Sequence, residues 1–268
     1  MAGFQHFKVY VTADLDHDAV INALCDDDEE DAGNFKLETL RGQKTQDLIQ
    51  RHRNRAQEQP YAHPTLFLVF DTEDLDERGV LLVSLDEYHG FDDAVRYPPE
   101  DANSYISSLS IENEDWYTLR QDVPDEKNKA SPVNWFALYN LLPSSQHDKF
   151  TDAALAMNSG TQYLGIDEPE EHLDVDELPK LYRAIRPDRS DIGVICDRHA
   201  SLAENSALCM GQFAAIDDDY KIGGALIVQV KPQRDSFRCK GEVAGELLRW
   251  IFINLMDWDE AKEFARRR

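Results

Sequence analysis

Two aspartates and two arginines are the residues of this chain best suited by type and position to do chemistry. "LFLVFD" (66–71) and "IGVICD" (192–197) are apolar runs of strand length, and each ends in an acid, Asp71 and Asp197. Carboxylates at the C-terminal ends of central strands lie where open α/β sheets hold ligands. Arg96 and Arg238 each sit beside a strand, and a guanidinium there can grip a carboxylate or an anion through two parallel N–H···O bonds. Asp71, Asp197, Arg96 and Arg238 are therefore the candidate ligand-binding residues. Simpler readings stand beside this one. Each acid can cap the next turn by accepting from its backbone N–H groups, and each arginine can serve as internal scaffolding.

Other patterns carry less. His17–Asp18 and His147–Asp148 suggest general-base dyads. Adjacent residues on a helix point different ways, however, and no nucleophile stands beside them, so no catalytic residue is assigned. "DLDHDAVINALC" (14–25) opens like a calcium loop, but Ala19 and Cys25 occupy the places that need Gly and Glu. "DDDEED" (26–31) and "DDDY" (217–220) read as solvated acidic loops, and no metal is expected. There is no dinucleotide fingerprint, P-loop, G-x-S-x-G or H-E-x-x-H, so no cofactor is expected. "IQRHRNRAQ" (49–57) is the one basic cluster. On a helix its Arg51, Arg53 and Arg55 would face an internal acidic surface, an anionic partner, or solvent.

The charge balance, 28 Lys and Arg against 52 Asp and Glu, gives −24. That argues against broad affinity for nucleic acid or anionic membranes, which are held by cations neutralising phosphates. It suits a basic protein partner, or high solubility alone. The longest apolar runs are strand-sized, far short of a bilayer span. The start of the chain reads as a strand and not as a secretory leader. Cys25, Cys196, Cys209 and Cys239 lack metal-like spacing and are expected to be free thiols, mostly in the core, of a cytoplasmic protein.

The elements that must position these residues come in two rounds. "FKVYVT" (7–12) alternates as a strand, and 14–25 reads as a short helix opened by acids. "NFKLETL" (34–40) is a strand, 44–59 a helix ended by Pro60, and 65–71 and 80–85 are buried strands with Gly79 at the turn between them. A short strand, a Pro-Pro break and a helix follow over 92–109. The second round reads as a strand at 135–142, a helix at 146–157, a strand at 162–167, a helix at 174–186, and apolar strands at 192–197 and 225–230.

Aligning Arg96 with Arg238 without gaps brings Glu100 onto Glu242, Ala102 onto Ala244, Ile111 onto Ile253, and Asp115–Trp116 onto Asp257–Trp258. Ala102, Tyr105, Ile106 and Leu109 share their helical i, i+3, i+4, i+7 spacing with Ala244, Leu247, Leu248 and Ile251. Upstream, "FKVY" (7–10) matches "FALY" (136–139). The chain therefore reads as two tandem copies, 5–120 and 134–266, joined by a charged, proline-containing linker at 121–133. The second copy carries an insertion at about 198–222. Asp257 with Glu260 fits a capping box.

Each half resembles an uncharacterised domain-of-unknown-function family known from short actinobacterial proteins. In that family an early strand ends in a Thr-Asp-Phe-like turn, a strand ends in Asp, and a closing segment resembles N-L-x-x-x-N-x-D-[FW]. "YVTADL" (10–15), "LVFD" (68–71) and "SLSIENEDW" (108–116) carry the likeness in the first half. In the second half "ALYNLLP" (137–143) lacks the Thr-Asp pair and "INLMDW" (253–258) is shifted around the Asn. The resemblance implies the fold and the boundaries, and brings no activity.

The expected fold is α/β: two repeats, each a mixed sheet covered by helices, packed as a pseudo-twofold pair. The expected function is non-enzymatic binding of a protein partner by an acidic intracellular protein. The alternative is an enzyme or small-molecule binder with a site in the cleft between the repeats.

Overall fold

The computed structural model describes residues 6–25, 32–58, 61–85, 92–116, 119, 136–161, 182–187, 191–204, 208–240 and 243–268. The acidic run 26–31, the linker 121–133 and the expected strand 162–167 lie outside them. The chain divides into two compact units. The first is Met1–Pro132 together with Ile253–Met256; the second is Val133–Phe252 with Asp257–Arg268.

In the first unit the order is β1 (His6–Val11), α1 (His17–Cys25), β2 (Phe35–Thr39), α2 (Thr45–Glu58), β3 (Ala62–Phe70), α3 (Leu75–Arg78), β4 (Val80–Leu85), β5 (Asp92–Tyr97) and α4 (Pro99–Ser110). The second unit repeats it: β6 (Phe136–Asn140), α5 (His147–Thr161), β7 (Tyr182–Ile185), α6 (Ile192–Glu204), β8 (Gln212–Ile216), α7 (Tyr220–Gly223), β9 (Ala225–Gln229), β10 (Asp235–Cys239) and α8 (Ala244–Phe252), followed by α9 (Trp258–Arg266). The sheets run β2-β1-β3-β4-β5 and β7-β6-β8-β9-β10. In each, the first strand of the unit is parallel to both its neighbours, and the last two pairings are antiparallel. The expectation of two similar mixed α/β sheets is met.

The expected reading of the second half is corrected in two places. Residues 192–197 are the start of α6 and not a strand. Ile192, Ile195, Cys196 and Ala203 turn one helical face onto the core, and a short apolar run does not by itself distinguish a strand from such a face. The strand equivalent to β3 is instead β8, "QFAAI". The region 198–222 is therefore the end of α6, β8 and the start of α7, each with its counterpart in the first unit, and not an insertion. The helix expected at 174–186 is also corrected in part, because Tyr182–Ile185 pairs in parallel with β6 and forms β7.

The pleat of β1 divides its side chains between two layers. Phe7, Val9 and Val11 pack with Val20 and Leu24 of α1 and with Ala102 and Ile106 of α4. Tyr10, on the opposite face, meets His52 of α2 and Phe67 of β3. Leu48 and Ile49 of α2 are fully buried, and each such side chain contributes roughly 1.5–3 kcal/mol. In the second unit α8 lies so close to α5 that a Cβ on Gly245 would stand 1.8 Å from the Met157 carbonyl oxygen. The turns into β4 and β9 repeat as well. Gly79 (φ 60, ψ −165) and Gly224 (φ 83, ψ −169) hold a backbone conformation essentially confined to glycine.

Candidate functional site

Arg96 lies on β5, next to β4, and the end of β3 brings Asp71 to it. Its Nη1 donates to Asp71 Oδ1 at 2.9 Å and its Nη2 to Oδ2 at 2.5 Å. Both groups are buried, Arg96 to 2% exposure and Asp71 to 9%. Nε and Nη2 of the same guanidinium donate to the Ile253 carbonyl at 3.0 and 2.8 Å, and Asn254 Nδ2 donates to Asp71 at 3.2 Å. The Ile253–Met256 segment is thus tied into the first unit, helped by Gln46 of α2, whose amide donates to the Leu255 carbonyl at 2.9 Å.

Arg238 on β10 makes the same fork with Asp217, Nη1 to Oδ1 at 3.0 Å and Nη2 to Oδ2 at 2.6 Å. Here the two groups keep 27% and 25% exposure. The counterpart of Asp71 is therefore Asp217, which ends β8, and not Asp197. Asp197 lies on α6, is exposed, and pairs with Arg234. Of the four predicted residues, Asp71 and Arg96 meet each other; Arg238 meets an acid that sequence reasoning placed in a solvated loop; and Asp197 belongs to neither pair. A bidentate Arg–carboxylate fork that recurs in both copies closes the strand end of each sheet upon itself.

Two further repeated constellations escaped the sequence reading. Trp116 Nε1 donates to Asp93 and Trp258 Nε1 to Asp235, both at 2.9 Å. Lys262 and the Trp258 indole together hold the Asp235 carboxyl down at about 2. The signal was present, since Asp93-x-x-Arg96 recurs as Asp235-x-x-Arg238. It explains the repeated Asp-Trp: the indole is fixed by an acid three residues before the arginine. Asp257 starts α9 with the expected capping box to Glu260.

The second constellation lies under α2 and α6. Tyr10 Oη is 3.1 Å from His52 Nδ1, and His52 Nε2 is 2.9 Å from the His63 carbonyl, so the ring donates there through Nε2 and accepts the phenol proton at Nδ1. Tyr139, His199 and the Cys209 carbonyl repeat this at 2.9 and 2.8 Å. Burial, partly opposed by the bond to the His63 carbonyl, pulls His52 down to about 4, and burial also lowers His199. Burial pushes both tyrosines up to about 12. Both pairs are neutral linkers between a helix and its sheet. Their trace in the sequence is Arg51–His52 recurring as Arg198–His199.

The basic helix resolves onto an internal acid. Arg51 donates to Glu38 Oε1 from Nη2 at 2.6 Å and from Nε at 3.0 Å, Arg55 donates to Oε2, and Arg53 pairs with Asp92. Burial pushes Glu38 up, but the two guanidinium groups outweigh it and hold its carboxyl below the usual range.

All four cysteines are buried free thiols, and burial raises Cys196 and Cys209 and pushes Cys239 up to about 12, the opposite of an activated nucleophile. Among the described residues no group of three or more His, Cys, Asp or Glu is arranged to hold a metal ion. None of their helices is long and apolar enough to cross a membrane. No family model, curated protein or solved structure matches the chain.

Proposed function

We propose that this is a non-enzymatic binding protein whose acidic surface engages a basic protein partner. One observation carries the reading: among the described residues many surface cations are paired with the chain's own carboxylates. Arg41 pairs with Asp14, Arg53 with Asp92, Arg234 with Asp197, Lys262 with Asp235, and Arg266 and Arg267 with Glu263. With 52 acids to 28 bases, the carboxylates far outnumber the cations that could neutralise them. Such a surface speeds encounter with a basic partner and fixes its orientation. The buried free thiols suit a reducing compartment, and the proposed site of action is the cytoplasm. The likeness of each half to the domain-of-unknown-function family remains part of this proposal and adds no activity to it. The test is capture of partners by the tagged protein from native lysate at low and high salt, read by mass spectrometry. A near-stoichiometric basic protein that is lost at high salt supports the reading, and capture of none at either salt refutes it.

A further inference from the structure

Comparison of the two units separates residues that the fold needs from residues that it does not. The Arg–Asp forks, the Trp–Asp bonds and the Tyr–His pairs occur in both copies. On the α2 face of the first sheet, another set occurs in one copy only. Tyr10 pairs in register with Glu38, and its counterpart Tyr139 with Ile185. Two residues before these tyrosines stand Lys8 and Ala137; three residues after the paired histidines stand Arg55 and Leu202. Where the second unit has an apolar face that includes Ala137 and Ile185, the first has Lys8, Glu38 and Arg55.

Among the described residues this polar face holds four cations, Lys8, Lys36, Arg51 and Arg55, and one carboxylate, Glu38, which Arg51 and Arg55 already share. Lys8 is 4% exposed, lies beside Lys36 in the β1–β2 register, and has no hydrogen bond or ion pair among the described residues. His6, two residues earlier on β1, buries its Nε2 with no hydrogen-bond partner either. Lys8 and Lys36 both act on that imidazole. A buried ammonium is costly, and the Glu38 carboxylate that favours its charge is already shared by Arg51 and Arg55. His6 and Lys8 lie on the same face of β1, and this concentration of cations and unsatisfied nitrogen is unusual in a chain of charge −24.

We propose that the His6–Lys8 face of the first unit binds a phosphate-class dianion, received by Lys8 Nζ and His6 Nε2 and by Lys36 and the guanidinium N–H groups around Glu38. Among the described residues, four cations against one carboxylate leave a surplus that a dianion matches better than a single carboxylate does. This site is independent of the acidic surface and its protein partner.

The experiment is a thermal-shift and calorimetric titration of the full chain with inorganic phosphate against chloride at constant ionic strength. The wild type is expected to show a saturable rise in Tm with phosphate and none with chloride. Lys8→Met is expected to abolish the phosphate-dependent rise. The exposed Lys36→Gln, which leaves the core untouched, is expected to weaken phosphate about tenfold, and decides the question if Lys8→Met does not fold. Lys221→Gln, in the second unit, is expected to bind as the wild type does. Equal shifts with phosphate and chloride overturn the proposal, as does a phosphate response that Lys8→Met and Lys36→Gln both retain in full. Phenyl phosphate run alongside assigns the site to a phosphomonoester if it competes with phosphate, and to the free ion if it does not.

Discussion

Replacing Asp71 by Ala and, separately, Asp217 by Ala asks whether the repeated Arg–Asp forks are scaffold. The two forks match in geometry and differ in burial. Arg96 keeps 2% exposure and Arg238 keeps 27%. Removing Asp71 takes the bidentate carboxylate from a buried guanidinium and removes the acceptor of the Asn254 amide, so the cost is that of breaking a buried pair, about 3–5 kcal/mol. Removing Asp217 leaves Arg238 partly hydrated and within 3.4 Å of Asp219, so solvent screening holds the cost to about 1 kcal/mol. At roughly 3 °C per kcal/mol for a unit of this size, the drops in Tm are about 10 °C and about 3 °C. The two units need not unfold together, so amide hydrogen exchange in β3–β5 and in β8–β10 should be followed separately. Equal costs in the two units, or an Asp71→Ala protein as stable as the wild type, would refute the reasoning. The second outcome would mean that Arg96 is held ready for a ligand.

Three further outcomes are expected. Gly245→Ala should destabilise the second unit by about 2 kcal/mol, although alanine is the better helix former, because its Cβ would stand 1.8 Å from the Met157 carbonyl; Gly211→Ala, with open space around it, is the control in the same thermal melts. His52 is neutral when folded down to about 4 and titrates near 6.5 when unfolded, so its contribution is fully present above about 6.5 and is lost as pH falls towards 4. The stability difference between pH 7 and pH 5, measured in urea, should shrink by about 2 kcal/mol in His52→Gln. Glu112 is exposed and sits at φ 56, as Asn254 does at φ 68, so Glu112→Asn should raise stability by about 0.5–1 kcal/mol in the same urea titrations.

Much of the first unit was legible in the sequence because its strands are rich in β-branched and aromatic residues and its turns are marked by Gly79 and the Pro98–Pro99 break. The second unit misled at one place with wide consequences. "IGVICD" has the composition of a strand, and its helical period shows only when the window is extended to His199 and Ala203. The true strand, "QFAAI", is glutamine or alanine at three of its five positions and reads weakly. That exchange put Asp197 in the place of Asp217 and turned a complete repeat into an apparent insertion. Arg96 and Arg238 were found because they align without gaps, and their partners were half found because strand ends are easy to see. The face around Lys8 was not legible. It joins β1, β2 and α2, and no spacing along the chain brings Lys8, Lys36 and Arg55 together before the sheet register is known.

The division of labour is that residues shared by the two units hold the fold while the acidic surface holds the partner. It is tested most directly by partner capture at low and high salt with the wild type and with an Asp217→Asn/Arg238→Met double variant checked for folding by circular dichroism. Both proteins are expected to retain the same basic partner at low salt and to release it at high salt. Loss of the partner by the folded double variant at low salt would contradict it, and would make the Arg238–Asp217 fork part of the binding site.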